Sequence, residues 1–211
     1  EQSKKRIYNP VRSLMSFTSS VAQKKWMAFA GLTWFFYVVF HMVSLLNFHV
    51  GKDVFNDFYI EFNQSTVYYL MVVILIVSLG FHVFTAVSRQ FANNQSKGSG
   101  YEKTYPQEIP RVVAWGGAST LLAFIVFHFL QMQWLDKTDL YQQMLSILSQ
   151  PIMWVIYALG LITLSAHLHH ALSNVLQTLG MSNKQYHLLV ILIVLVIFAG
   201  FSSILVSVAY A

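Results

Sequence analysis

The chain has no cysteine among its 211 residues. That excludes disulfides, cysteine-ligated iron–sulfur clusters and covalent c-type haem attachment. Charge is also scarce. Only 10% of the residues are Asp, Glu, Lys or Arg, where a soluble domain carries about a quarter. Hydrophobic residues make up 56% and the mean hydropathy is +0.54. This balance marks an integral membrane protein, and the length suits one compact all-α domain. Proline is limited to four residues, so long helices are seldom interrupted. The sequence pI of about 9.4 is read as a topology signal and not as a sign of nucleic-acid binding, because basic residues orient membrane proteins.

Five runs without charge are each long enough to cross a bilayer. They cover about 26–48, 66–88, 112–135, 151–177 and 186–209. Residues 1–25 hold Lys4, Lys5, Arg6, Arg12, Lys24 and Lys25 and are expected to form an interfacial arm. No short apolar stretch with a cleavage site adjoins the first residues, so no signal peptide is expected there. Residues 49–65 are expected to be a loop or short surface helix. Arg89 is expected to stop the second span, and the Asn-, Ser-, Gly- and Pro-containing stretch after it reads as a loop. Leu140, Met144, Leu145 and Leu148 suit a short amphipathic helix at the interface. Pro151 is placed to open the fourth span and Gly180 to stop it.

The arm, the loop after the second span and the short loop after the fourth hold eleven of the thirteen Lys and Arg. The other side holds Lys52 and Lys137, with Asp53, Asp57, Glu61, Asp136 and Asp139. This asymmetry predicts a cytoplasmic amino terminus in a multi-pass protein. Membrane lipid is the expected surrounding partner.

Four histidines sit in the middle of apolar runs: His41, His82, His128 and His167. A histidine at membrane depth is rare and costly. At about 1.5 Å per residue, His41 lies roughly 24 Å and His128 roughly 25 Å from the inner edge, and His82 about 10 Å from it. His167, on a helix entering from outside, lies within about 5–10 Å of the inner edge. The four thus fall at two levels, His41 with His128 and His82 with His167. That pattern fits axial ligation of two stacked haems by neutral imidazoles inside a helical bundle. Ser78, Ala86 and Ala171, each four residues from a histidine, are small enough to let a flat ring approach. The competing readings are a single hydrogen-bonded interior histidine or a proton relay. Relays usually mix histidine with carboxylates, and none of the five runs contains one. His170, three residues after His167, is a rival ligand or a partner for a haem propionate. His169 points to a different face, and His49 and His187 sit at span edges.

Several stretches resemble the cytochrome b subunit of succinate dehydrogenase and fumarate reductase, in the five-helix form that carries two haems b. Ser20, Lys24, Met27, Ala28 and Gly31 match the family's lead into the first ligand. Gly51, Phe55 and Asn56 match its Gly-x-x-x-Phe-Asn pattern, with Phe58 in place of Tyr. His167, His170, Ser173, Gln177, Thr178, Leu179 and Gly180 match the fourth-helix motif, with Ala171 in place of Gly. Two departures are Leu45, where the family often has Asn, and Ser165, where some relatives carry a Glu proposed for transmembrane proton movement.

The resemblance implies an all-α, five-helix transmembrane bundle with two haems b ligated by His41, His82, His128 and His167, His170 being second to His167. It implies partners, a flavoprotein subunit and an iron–sulfur subunit, a quinone (menaquinone or ubiquinone) as substrate, and a bacterial inner (cytoplasmic) membrane as the location. Dicarboxylate chemistry would then lie on a partner subunit. Relatives use an acidic residue in the first outer loop for quinone-linked proton transfer, which here is Glu61; the plainer reading of Glu61 is a solvated charge. Lys24, Lys25, Arg89 and Arg111 are candidates to pair with haem propionates, or only mark topology. A dihaem cytochrome b of a hydrogenase, formate dehydrogenase or ascorbate-type reductase is the alternative, and a histidine-relay transporter a more distant one.

Overall fold

The computed structural model describes residues 20–95, 111–178, 180–181 and 183–210, which form helices joined by short turns. In chain order these are α1 (Ser20–Leu45), α2 (Asn47–Val50), α3 (Lys52–Gln64) and α4 (Thr66–Gln95), then α5 (Arg111–Trp134), α6 (Leu140–Leu148), α7 (Pro151–Thr178) and α8 (Lys184–Ala209). Five segments are long and apolar enough to cross a membrane: Lys25–Val50, Thr66–Phe91, Trp115–Trp134, Pro151–Gln177 and Lys184–Ala209. Most of the expected amino-terminal arm, and the loop at 96–110, lie outside the described residues.

Element boundaries shift where sequence charge and helix breaking part company. The first helix starts at Ser20 rather than Trp26, because Ala22, Gln23, Lys24 and Lys25 are good helix formers. Arg89 does not end α4, which continues to Gln95. A charge limits the apolar part of a helix, but its hydrogen-bond ladder runs on until a breaker or loop intervenes. Residues 49–65 are helical on either side of Gly51, whose φ of 138° lies where a side chain is disfavoured. Gly51 therefore turns the chain from α2 into α3.

Local chemistry sets most other ends. Ser65 Oγ accepts from the Tyr68 amide at 3.2 Å and caps α4. Asp139 accepts from Gln142 N at the start of α6, and Asn183 from Tyr186 N at the start of α8. These are standard side-chain caps for amides with no partner inside the helix. After α7, Met181 N bonds Leu176 O at 2.9 Å and Gly180 N bonds Gln177 O at 3.0 Å. With Gly180 at φ 78° this is a Schellman stop.

Around the bundle the long helices run in the order α4, α1, α8, α7, α5, each packed on the next. Buried apolar residues gather in two places. Val38, Leu168, Val190, Val194 and Ile197 form a seam where α8 joins α1 to α7. Phe48, Phe55, Leu140, Leu148, Ile204, Leu205 and Val208 form a second core under the short helices α2, α3 and α6. The short helices thus make a cap at one end. The outward faces stay apolar, as with Phe29, Phe36, Ile76, Val77, Phe84, Val155 and Val196. A surface of this kind suits lipid, in which helices satisfy their own backbone.

The cap is fastened by a polar knot. Asp139 accepts from Lys52 Nζ at 2.6 Å and from Asn56 Nδ2 at 2.9 Å, and Asn56 Oδ1 accepts from Tyr141 N at 2.9 Å. These bonds tie α3 to α6. The Lys52 and then the Asn56 hydrogen bond hold the Asp139 carboxyl at about 2, below its ordinary 3.8. A lowered carboxyl pKa stabilises the folded state fully above the ordinary value, and that support is lost as pH falls through the folded value. Asp139→Asn keeps a capping side chain but loses the ion pair. Its thermal unfolding in detergent should begin earlier than wild type near neutral pH, by a small margin because the pair is exposed. The two curves should converge below about pH 2.

Candidate functional site

Four helices point imidazoles into the bundle. His41 on α1 faces His128 on α5, with ring centres 5.9 Å apart and planes at 55°. His82 on α4 faces His167 on α7, at 6.2 Å and 73°. In neither pair are the two helices close-packed neighbours in the ring of helices; the imidazoles meet across its interior.

The two pairs lie at different levels, measurable on two helices. On α1, Gly31 backs His82, for a Cβ there would lie 3.8 Å from His82 Cε1. Gly31 is ten residues before His41, about 15 Å along a helix. On α7, Tyr157 touches His128 and lies ten residues before His167, again about 15 Å.

The spacing within each pair has a chemical meaning. A metal–imidazole bond is about 2 Å, and a ring nitrogen lies about 1 Å from its ring centre. Two imidazoles on opposite sides of one ion therefore have centres about 6 Å apart. Both pairs match that value. Among the described residues no three of His, Asp or Glu converge, so each site offers an ion a pair of imidazoles.

The neighbours orient the rings. Tyr37 stacks on His41 at 5.6 Å and 6°, and Phe201 of α8 lies at 5.7 Å. Phe124 stacks on His128 at 5.7 Å and 14°, and Tyr157 meets it edge-on at 5.6 Å and 86°. His128 Nδ1 lies 3.1 Å from Tyr157 Oη, which donates to Gln131 Oε1 at 2.7 Å. His82 differs. Its Nδ1 is buried and makes no hydrogen bond of normal geometry, although the Met27 backbone is close enough to interact with the ring.

The remaining candidates lie elsewhere. His170 is exposed and bonds Asn174 of its own helix at 2.9 Å, so it does not join the His82–His167 pair. His169 packs on His187 at 5.4 Å, and His49 bonds Ser203 and Ser207 of α8 at 2.8 and 3.2 Å. Of the small residues beside the histidines, Ala86 and Ala171 are half-buried. Ser78 bonds Leu75 O at 3.1 Å and lines the outward groove between α1 and α4. Lys25 is exposed and Arg89 half-buried; the side chains of Lys24 and Arg111 lie outside the described residues. Glu61 is exposed on α3. Its neighbours anchor that helix over the His41 end of α1. Tyr59 bonds Ser44 at 2.9 Å, and Phe62 packs on Phe40 and Tyr68.

Tyr37, Phe124, Gln131, Tyr157 and Gly160 escaped the reading of the sequence. The available signal was a polar residue in an apolar run, as with Gln131 one turn after His128 and Tyr157 in the fourth span. Comparisons with family models, with curated proteins and with solved structures find no match to this chain.

Gly160 supports the site from behind. A Cβ there would fall 2.6 Å from ring carbons of Phe124, the ring stacked on His128. Gly160→Ala should therefore destabilise the protein by about 1–3 kcal/mol through overpacking. Thermal unfolding in detergent checks this. Gly80→Ala, where nothing lies within 4 Å, should leave the midpoint unchanged or slightly raised.

Proposed function

We propose that this chain is the membrane-anchor cytochrome b subunit of a succinate:quinone oxidoreductase. It holds two haems b, one between His41 and His128 and one between His82 and His167. The observation that carries the reading is the pairing itself. Two pairs of imidazoles, each about one metal ion apart, stand one above the other on four membrane helices. The fourth-helix motif from His167 to Gly180 and the lead from Ser20 to Gly31 support the choice of family.

The haems, when bound, supply one-electron transfer between the two levels. The protein holds each by two imidazoles, which leaves no coordination position for oxygen or substrate. Tyr37, Phe124, Phe201 and Tyr157 pack the cap-end rings and exclude water. The His82 ring lies against α1 beside Gly31. His41 and His128 lie at the cap end, which carries the excess of acidic residues. His82 and His167 lie toward the end where the basic residues gather. That end faces the cytoplasm and binds the iron–sulfur partner, which in turn carries the flavoprotein. Quinone exchanges electrons with the chain near the cap-end pair. Glu61, on the helix fixed there by Tyr59 and Phe62, handles its proton.

The purified protein should show reduced b-type absorption bands and bind two haems per chain. Replacing any one of His41, His82, His128 or His167 by Ala should remove one haem and leave the other, whereas His170→Ala should keep both. Absence of haem b from the wild-type protein would overturn the reading. In the intact complex, Glu61→Gln should keep both haems and abolish quinone-linked succinate or fumarate turnover. Unchanged turnover would remove Glu61 from the proton route.

A further inference from the structure

We propose that Tyr157 and Gln131 together fix the proton of His128 on Nδ1, and so set the donor strength of one axial imidazole of the cap-end pair. The inference rests on the two-haem reading above and adds two positioning residues to it.

The proton inventory makes the case. A neutral imidazole carries one N–H, a phenol one O–H, and an amide oxygen none. Tyr157 Oη lies 2.7 Å from Gln131 Oε1 and 3.1 Å from His128 Nδ1. Gln131 Oε1 only accepts, so the single phenol proton is directed to it. The phenol oxygen is then left as an acceptor toward His128. The bond is made only if His128 carries its proton on Nδ1, which leaves the Nε2 lone pair for a metal. The orientation of the Gln131 amide is fixed on its other side, where Nε2 faces Met153 Sδ at 3.7 Å. His128 and Gln131 are one turn apart on α5, while Tyr157 and Met153 are one turn apart on α7. The relay therefore clamps two helices and orients one ligand together.

An imidazole that donates from its second nitrogen is a more basic ligand, and such partners tune the metal they never touch. A more basic ligand favours the oxidised iron, so the relay lowers the potential at this level. The other level contrasts with it, since His82 Nδ1 has no side-chain partner of this kind and only the Met27 backbone close by. The relay thus acts on one of the two pairs.

Tyr157 also packs its ring edge-on against His128 and Phe124, so the test must separate hydroxyl from ring. Tyr157→Phe keeps the ring and removes the hydroxyl. In a redox titration of the purified protein followed in the visible bands, it should retain two haems. One midpoint potential should move upward and the other stay in place. Two haems with both potentials unchanged would overturn the proposal, as would equal shifts in both. If Tyr157→Phe loses a haem, Gln131→Leu decides, because it leaves the phenol ring intact and removes only the acceptor. One shifted potential in that variant supports the relay; two unchanged potentials overturn it. A wild-type protein with no haem b would instead remove the underlying reading, before any variant is compared.

Discussion

Placing an imidazole in the hydrocarbon layer of a membrane is costly unless its nitrogens find partners. The bundle places four there, two pairs about 15 Å apart. Much of the interior follows from holding those rings. α8 joins α1 and α7 through the seam of Val38, Leu168, Val190, Val194 and Ile197. That strut leaves α1 facing α5 and α4 facing α7, so that rings on opposite helices meet. Gly160 sits where a Cβ would press on the Phe124 ring behind His128, and Gly31 lies alongside His82 with room for ordinary contact. Apolar burial elsewhere in the membrane-spanning part is modest, and most large side chains there face outward.

The two ends of the bundle are built differently. The cap end has its own core and a polar knot around Asp139, which fix α3 and α6 as a lid of short helices. It also carries the ring contacts around His41 and His128, and the relay through Tyr157 to Gln131. Tyr68 of α4 and Gln133 of α5 bond at 3.1 Å near the same end. The pair at the other level has fewer polar partners. If each pair holds a haem, the two haems sit in unlike surroundings, and a difference in their potentials would follow from the protein.

Much of this was legible in the residues because membrane helices obey few rules. Length and lack of charge give the spans, and the four histidines stand out against apolar runs. Counting residues from the nearest charge separated them into two levels, and the structure brings together His41 with His128 and His82 with His167. Gly180 and Pro151 served as helix punctuation in the way their chemistry suggests. Other features were hidden. The continuation of α4 past Arg89 depends on the backbone ladder, which charge does not interrupt. Tyr157 and Gln131 lie on different helices, and their bond to His128 arises only from how α5 and α7 pack. Likewise, His170 could be separated from His167 only once the helix face was fixed, since the two are one turn apart.

The central claim is that each histidine pair ligates one haem iron from both sides. Low-temperature electron paramagnetic resonance of the oxidised, purified protein tests it directly. Two imidazoles on one ferric iron give a low-spin signal, and a large angle between their planes makes that signal strongly anisotropic. With planes at 55° and 73°, the account predicts two low-spin signals of the strongly anisotropic kind, in equal amounts. A protein without haem, or one whose iron is high-spin with a single histidine ligand, would contradict it.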